Sequence, residues 1–284
     1  MEGYRYSAKA RAKINLSLDV GLRRPDGYHD LETVMHTVSL CDDIYMNLLP
    51  SGEIRVRSSI PGMPEDEKNL AGKAVLAFNA VTGRDTGAEI YIDKRIPSEA
   101  GLGGGSSDAG AVLRLLGEIF KTPTEQLLQA AVRVGADVPF TMMGGCALCR
   151  GIGERMEPLP AMPACRIVIV KPPVGAPTGA VFAAFDRDPV VRQDTADVTK
   201  ALRNASLDGL CAALGNGLAK ACFSAAPEAG EPVERMLSLG ALGACLSGSG
   251  TASYGIFRDE NKAAKAAESL AASGLRVFLT EPSV

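Results

Sequence analysis

The stretch Pro97–Val112, PSEAGLGGGSSDAGAV, decides how the rest of the chain is read. The alternating run AEIYIDKRI before it has the period of a strand, and Ala109–Phe120 after it has the composition of a helix. Between them stand Gly101, Gly103, Gly104, Gly105, Ser106 and Ser107. Glycines let backbone amides approach a ligand with no Cβ in the way, and a helix start offers unpaired N–H groups and the positive end of a dipole. A strand, a glycine-serine loop and a helix start in that order predict a phosphate site. Ser106 and Ser107 add hydroxyls able to bond phosphate oxygens or to touch a magnesium ion carried by a nucleotide. The GK[ST] of a Walker loop is missing, and the sixth position of GLGGGS is a serine in a loop that follows a β-rich region, so the Rossmann fingerprint does not fit.

Toward the N-terminus, Ala12–Val20 (AKINLSLDV) alternates apolar Ile14, Leu16, Leu18 and Val20 with Lys13, Asn15, Ser17 and Asp19, a half-buried strand with Lys13 and Asn15 on one face. RRPDGYHD, Arg23–Asp30, reads as a loop, with further strands over LETVMHTVSL and Asp43–Leu49. Apolar spacing predicts a helix over Asp66–Val81 that stops at Gly83. Thr122, Pro123 and Glu125 suggest N-cap, first-turn proline and capping-box partner of a helix to Val134. It is followed by GADVP, in which Asp137 is a turn former, a cap, or a base if Lys13 approaches it. PLPAMPA from Pro158 marks a hinge, dividing an N-terminal domain at 1–158 from a C-terminal one at 159–284. The second domain opens on the strand RIVIV and has helical patterns over Ala196–Asn204, Ser206–Cys222, Glu231–Leu239 and Asn261–Ala272. Strands are expected at Gly243–Leu246, Ser253–Phe257 and Leu275–Thr280. The sum is an α+β, two-lobed protein.

Composition narrows the function. Thirty basic and thirty-three acidic side chains give a formal charge of −3, no field to gather nucleic acid. The longest uncharged stretch, Met236–Phe257, is broken by glycines and serines and does not suit a bilayer span. The N-terminus lacks an apolar signal region, and seven cysteines, an odd number among small apolar neighbours, suit buried thiols in a reducing cytoplasm. Cys146 and Cys149 form a lone CxxC without a second pair, which carries no metal assignment.

Lys13 in AKINL, PSEAGLGGGSSDA and the SGSG of Ser247–Gly250 stand in the order of the three motifs of the GHMP kinases, and the chain resembles that family over nearly its whole length. The stretches from AKINL through DGYHDLETVM, GLGGGSSDAG and GADVPF resemble the branch whose acceptor is a methylerythritol carrying a cytidine diphosphate group. The resemblance implies a β-rich nucleotide-binding lobe and a ferredoxin-like C-terminal lobe with the active site between them. It further implies a cytoplasmic, magnesium-dependent transfer of the ATP γ-phosphate to the 2-hydroxyl of that acceptor, in non-mevalonate isoprenoid synthesis. No nucleic acid or membrane partner follows from it, and the chain is expected to be a monomer or weak homodimer.

On the same ground Lys13 and Asp137 are the catalytic pair, with Asp137 as base. Gly101, Gly103, Gly104, Gly105, Ser106 and Ser107 surround the ATP phosphates, Asn15 contacts substrate, and Gly248 and Ser249 belong to the third motif. Tyr28 stacks on the cytosine, His29 bonds its polar edge, and Thr178 and Phe182 complete the pocket. Read without the resemblance, Tyr28 and His29 are turn residues and Phe182 is core. Two positions depart from the family pattern: Asn216-Gly217 stands where an Asn-Asp pair in a helix is usual, and GTASY lacks a frequent proline. The rivals are a kinase of this fold with another small alcohol and a non-catalytic nucleotide sensor.

Overall fold

The computed structural model describes residues 3–25, 27–50, 52–190 and 194–283. The chain forms two compact units whose segments interleave: residues 1–12, 41–98 and 103–144 make the first, and residues 13–40, 99–102 and 145–284 the second. Strands β1 (Tyr6–Arg23) and β2 (His29–Leu49) each contribute to both. Both are longer than the sequence suggests. LETVMHTVSL and Asp43–Leu49, expected as separate strands, are one continuous strand.

In the first unit, Asp43–Leu49 of β2 pairs antiparallel with β4 (Gly87–Asp93), which pairs parallel with β3 (Ile54–Ser58). Helices α1 (Leu70–Thr82), α2 (Gly104–Phe120), α3 (Thr124–Val134) and α4 (Val138–Met143) pack with this sheet. Ile44, Met46, Ile90 and Ile92 from the strands meet Phe78, Val112 and Leu116 from the helices. Burying side chains of this size stabilises by about 1.5–3 kcal/mol each. Helix α1 starts four residues later than its apolar spacing suggests, because Asn69 caps it, its side chain accepting from Ala71 N. The capping box expected from Thr122 and Glu125 does not form. Helix α3 starts at Thr124 with Pro123 as its N-cap, and Thr122 N instead closes α2 on Gly117 O.

In the second unit, Leu31–His36 of β2 pairs antiparallel with β5 (Cys146–Gly151), which pairs with β6 (Arg155–Pro158). Cys146 and Cys149 lie three apart on β5, so their side chains leave opposite faces, and burial pushes the Cys146 thiol up to about 12. Strand β7 (Arg166–Lys171) precedes α5 (Thr178–Arg187), α6 (Thr195–Arg203) and α7 (Leu207–Ala213). The run Ser206–Cys222 is not the single helix its pattern suggests. It breaks at β8 (Gly215–Asn216), which pairs with Ser17 and Leu18 of β1, and resumes as α8 (Ala219–Ala225). After α9 (Glu231–Ser238) come β9 (Gly243–Leu246), β10 (Ser253–Phe257), α10 (Glu260–Ala271) and β11 (Arg276–Thr280).

The antiparallel order β11-β7-β10-β9, with Met236 of α9 and Ala263, Ala266 and Leu270 of α10 packed on Val168 and Val170, is a β-α-β-β-α-β ferredoxin-like sheet. The α+β class and this second half agree with the resemblance. No helix among the described residues is long and apolar enough to cross a membrane.

Candidate active site

In the first unit the glycine run becomes a helix start. Gly103, at φ 70°, is the N-cap of α2, a left-handed conformation that a side chain would strain. Helix α2 thus begins inside the glycine run, ahead of the Ala109 that composition suggests. The first helical bond from this end is Ser107 N to Gly103 O, so the amides of Gly104, Gly105 and Ser106 precede the ladder. Gly104 and Gly105 are also small for packing: a Cβ on the first would lie 3.1 Å from Ile96 and 3.5 Å from Lys94 Nζ, and on the second 3.1 Å from Leu70.

Ser107, expected to meet phosphate or magnesium, is turned inward. It is fully buried, and its hydroxyl donates to Arg11 O at 2.7 Å and Gly103 O at 2.9 Å, so its single proton is already engaged. Ser106 is the half-buried serine of the pair, and its carbonyl accepts from Thr141 Oγ1 at 2.8 Å.

A buried charge cluster beneath this turn was not foreseen from the sequence. Lys94 Nζ donates to Asp42 Oδ2 and Asp108 Oδ2, and Asp42 Oδ1 accepts from the amides of Arg95 and Ile96. Burial raises the Asp108 carboxyl to about 8; Lys94 opposes the rise and the Asp42 charge adds to it. Burial alone would lower the Lys94 ammonium, and Asp108 and Asp42 together more than offset it, so it is raised. Asp108 Oδ1 has no hydrogen-bond partner among the described residues. The charges are scattered through CDD, DKR and SSD, so no local pattern announces them.

Asp137 also lies in the first unit, at the N-cap of α4, but its side chain makes no capping bond. The helix is held there by Asp137 O, which accepts from Thr141 N at 3.0 Å. Its reading as a side-chain cap is therefore excluded.

The second unit gathers most of the other candidates. Lys13 is only 4% exposed, and its Nζ donates to Asn15 Oδ1 at 2.7 Å. Asn15 Nδ2 donates to Thr33 Oγ1 at 2.8 Å, and Thr33 Oγ1 donates to Ser17 O. The last bond commits the threonine proton, so the hydroxyl accepts from the amide, and the amide must turn its oxygen to the lysine. Lys13 and Asn15 share a strand face as alternation predicts. Both faces of Ala12–Leu18 are buried, however, so this polar face is interior rather than solvated.

Three segments meet around that lysine. Lys13 N donates to Leu102 O, while Ser247 Oγ, Thr251 N and Ala252 N donate to the carbonyls of Gly101, Glu99 and Ala100. A Cβ on Gly101 would stand 1.9 Å from Ser247 O, and one on Gly248 would stand 3.3 Å from Lys13 Nζ. The turn Ser247–Gly250 joins β9 and β10 as a hairpin, and it neighbours both Lys13 and the start of the glycine run at Gly101. Asn216 holds it: Nδ2 donates to Leu246 O at 2.9 Å and Gly248 O at 2.8 Å, and Oδ1 accepts from Leu218 N. Asn216, the residue before the departing Gly217, thus has a structural role here, in a strand pair rather than a helix.

Tyr28 is 60% exposed, and His29 is 6% exposed. The His29 ring lies 4.9 Å from that of Phe182 at 34°, and edge-on to Phe185 at 5.8 Å. His29 Nε2 lies 2.8 Å from Asp186 Oδ1. Thr178 Oγ1 and Ser249 Oγ lie 3.0 Å apart at the surface. Asp186, one of two aspartates near the end of α5, could not be singled out from the sequence.

A family model described as GHMP kinases N terminal domain matches residues 69–145, and one described as GHMP kinases C terminal matches residues 198–275. The chain is 42% identical over 275 residues to a 4-diphosphocytidyl-2-C-methyl-D-erythritol kinase of Exiguobacterium sibiricum, covering 96% of this chain and 94% of that one. Among solved structures, a 4-(cytidine 5'-diphospho)-2C-methyl-D-erythritol kinase superposes with a TM-score of 0.82 at 34% identity, covering 98% of this chain and 100% of the other. Homoserine kinase of Cytophaga hutchinsonii superposes with a TM-score of 0.78 at 20% identity over 100% of this chain and 96% of its own, and shares the fold.

Proposed function

The chain belongs to the GHMP kinases, in the branch of the 4-diphosphocytidyl-2-C-methyl-D-erythritol kinases, and we propose that it transfers the γ-phosphate of ATP to the 2-hydroxyl of 4-diphosphocytidyl-2-C-methyl-D-erythritol. The observation that carries the reading is the start of α2, where a left-handed glycine exposes successive amides at the positive end of a 17-residue helix. These amides and the Ser106 hydroxyl suit phosphate oxygens. Among the described residues no three His, Cys, Asp or Glu side chains gather to hold a metal, so magnesium would be held by the phosphates, water and at most Ser106. Bound there, it neutralises charge that develops on the transferred group.

Phosphoryl transfer asks the protein to orient an alcohol and stabilise spreading charge. Asp137 takes the proton of the attacking hydroxyl, and Lys13 supplies positive charge to the hydroxyl oxygen. The Asn15–Thr33 relay holds Lys13 in one rotamer, which spares that ordering at each turnover. Tyr28, His29 and Phe182 take the cytosine, and Thr178 and Ser249 meet the polar remainder of the handle. We assign the enzyme to the cytoplasm, as a monomer or weak homodimer.

The test is incubation with ATP, magnesium and the cytidylated methylerythritol, with the new phosphomonoester read by mass spectrometry. Phosphorylation of mevalonate or homoserine in its place would move the chain to another acceptor, and ATP binding with no product would make it a sensor. Asp137→Asn is expected to lower kcat by about 10²–10⁴ with the fold intact by circular dichroism; full turnover would refute the base assignment.

A further inference from the structure

We propose that Asp186 is a specificity-determining residue: it fixes His29 in the tautomer whose Nδ1 accepts a hydrogen bond, and so selects a pyrimidine diphosphate bearing an exocyclic amino group over one bearing an oxo group. The inference rests on the assignment of His29 to the base. A carboxylate only accepts, so with Asp186 Oδ1 2.8 Å from His29 Nε2 the proton of the neutral ring belongs on Nε2, and in that tautomer the other ring nitrogen has a lone pair. Arg23 Nη1, 3.8 Å from Asp186 Oδ2, attends to the second oxygen. Phe182 on the face and Phe185 on the edge keep the imidazole from turning over. Among the described residues nothing else bonds this ring, which leaves Nδ1 to a ligand.

An amino group meeting that lone pair donates a hydrogen bond to it. An oxo group in the same place would set two acceptors face to face, and an unpaired buried acceptor costs roughly tenfold or more in affinity.

The other histidine is fixed the opposite way. His36 Nδ1 donates to Thr37 O at 2.6 Å, and its Nε2 accepts from Met162 N at 3.2 Å. With only two histidines in the chain, protein labelled with ¹⁵N-histidine reports both tautomers, and His36 serves as the reference for an intact fold. At pH 8 the wild-type protein is expected to show His29 protonated on Nε2 only. Titration calorimetry with CDP and UDP is expected to favour CDP at least about tenfold. Asp186→Asn, which can donate to Nε2, is expected to bring the two affinities within about threefold. Asp186→Glu, which remains an acceptor, is expected to keep the preference.

A His29 ring protonated on Nδ1, or on both nitrogens, overturns the proposal. So does an unchanged CDP preference in Asp186→Asn with the His36 signals intact. Should that preference survive while the enzyme phosphorylates its acceptor, this inference alone fails. Should the wild-type protein bind neither diphosphate and phosphorylate nothing, the functional reading fails and takes the inference with it.

Discussion

The two glycine-serine turns look alike in sequence and are built on different supports. The first, Gly101–Ser107, runs into a long helix and rests on a buried cluster of titratable groups: Lys94, Asp42 and Asp108 beneath its helical end. The second, Ser247–Gly250, runs into a short strand and rests on a neutral amide, with Asn216 holding the carbonyls of Leu246 and Gly248. One turn presents amides and the other has its carbonyls occupied. Glycine content therefore marks both turns, and the partner of each backbone decides which can serve as a donor cradle and which as a scaffold.

The largest test of that contrast is Gly101→Ala. Its Cβ would meet Ser247 O at 1.9 Å from a left-handed backbone, and a loss of about 3 kcal/mol is expected from overpacking and strain together. A urea midpoint equal to that of the wild type would show that the segments part without cost. Asn216→Ala comes next, at about 2 kcal/mol, because it leaves two buried carbonyls without a donor. Its loss should be independent of pH, as the support is neutral.

The first turn should behave otherwise. In the unfolded chain the Asp108 carboxyl has its ordinary value of 3.8, whereas the fold holds the proton to about 8. That contribution to stability is whole below the unfolded value and is lost as pH rises through about 8, at a slope of at most about 1.4 kcal/mol per pH unit. Melting temperatures from pH 5 to 8.5 should decline in the wild type and flatten in Asp108→Asn, with about 1 kcal/mol between the two slopes from pH 6 to 7. Parallel curves would place the charge balance elsewhere. The smallest effect is reserved for Ser107→Ala, which removes an internal bond worth about 1 kcal/mol and should leave the KM for ATP within about twofold. A large rise in that KM would restore Ser107 to the phosphates; Ser106→Ala should give the larger rise.

Legibility in the sequence followed the range of the interactions. The strands over Gly243–Leu246 and Ser253–Phe257 emerge as expected, since alternation and flanking glycines are local signals. Where a distant partner decides, the local pattern misleads. Ser206–Cys222 has helical spacing throughout, yet Gly215 and Asn216 pair with β1 and break it. Thr122–Glu125 spells a capping box, but the closing turn of α2 takes the Thr122 amide.

The site divides in the same way. Lys13 and Asn15 were legible from the alternation of one strand, and the helix start from the glycine run, although composition placed it late, at Ala109. Asp108, Asn216 and Asp186 were not, because each is defined by a carbonyl, an ammonium or an imidazole far off in the chain. Tyr28, His29 and Phe182 needed the resemblance, since by type alone a tyrosine, a histidine and a phenylalanine have commoner uses.

The interleaving of the units has a consequence for how the protein is made. Residues 1–144 contain every segment of the first unit, whereas residues 13–40, made early, belong with residues 99–102 and with the long segment that begins at residue 145. Until that segment arrives, the C-terminal part of β1 and the N-terminal part of β2 lack the partners β8 and β5 and offer unpaired edges to any passing chain. Synthesis rate and chaperone access over that interval should therefore govern the yield of native enzyme more than the final stability does.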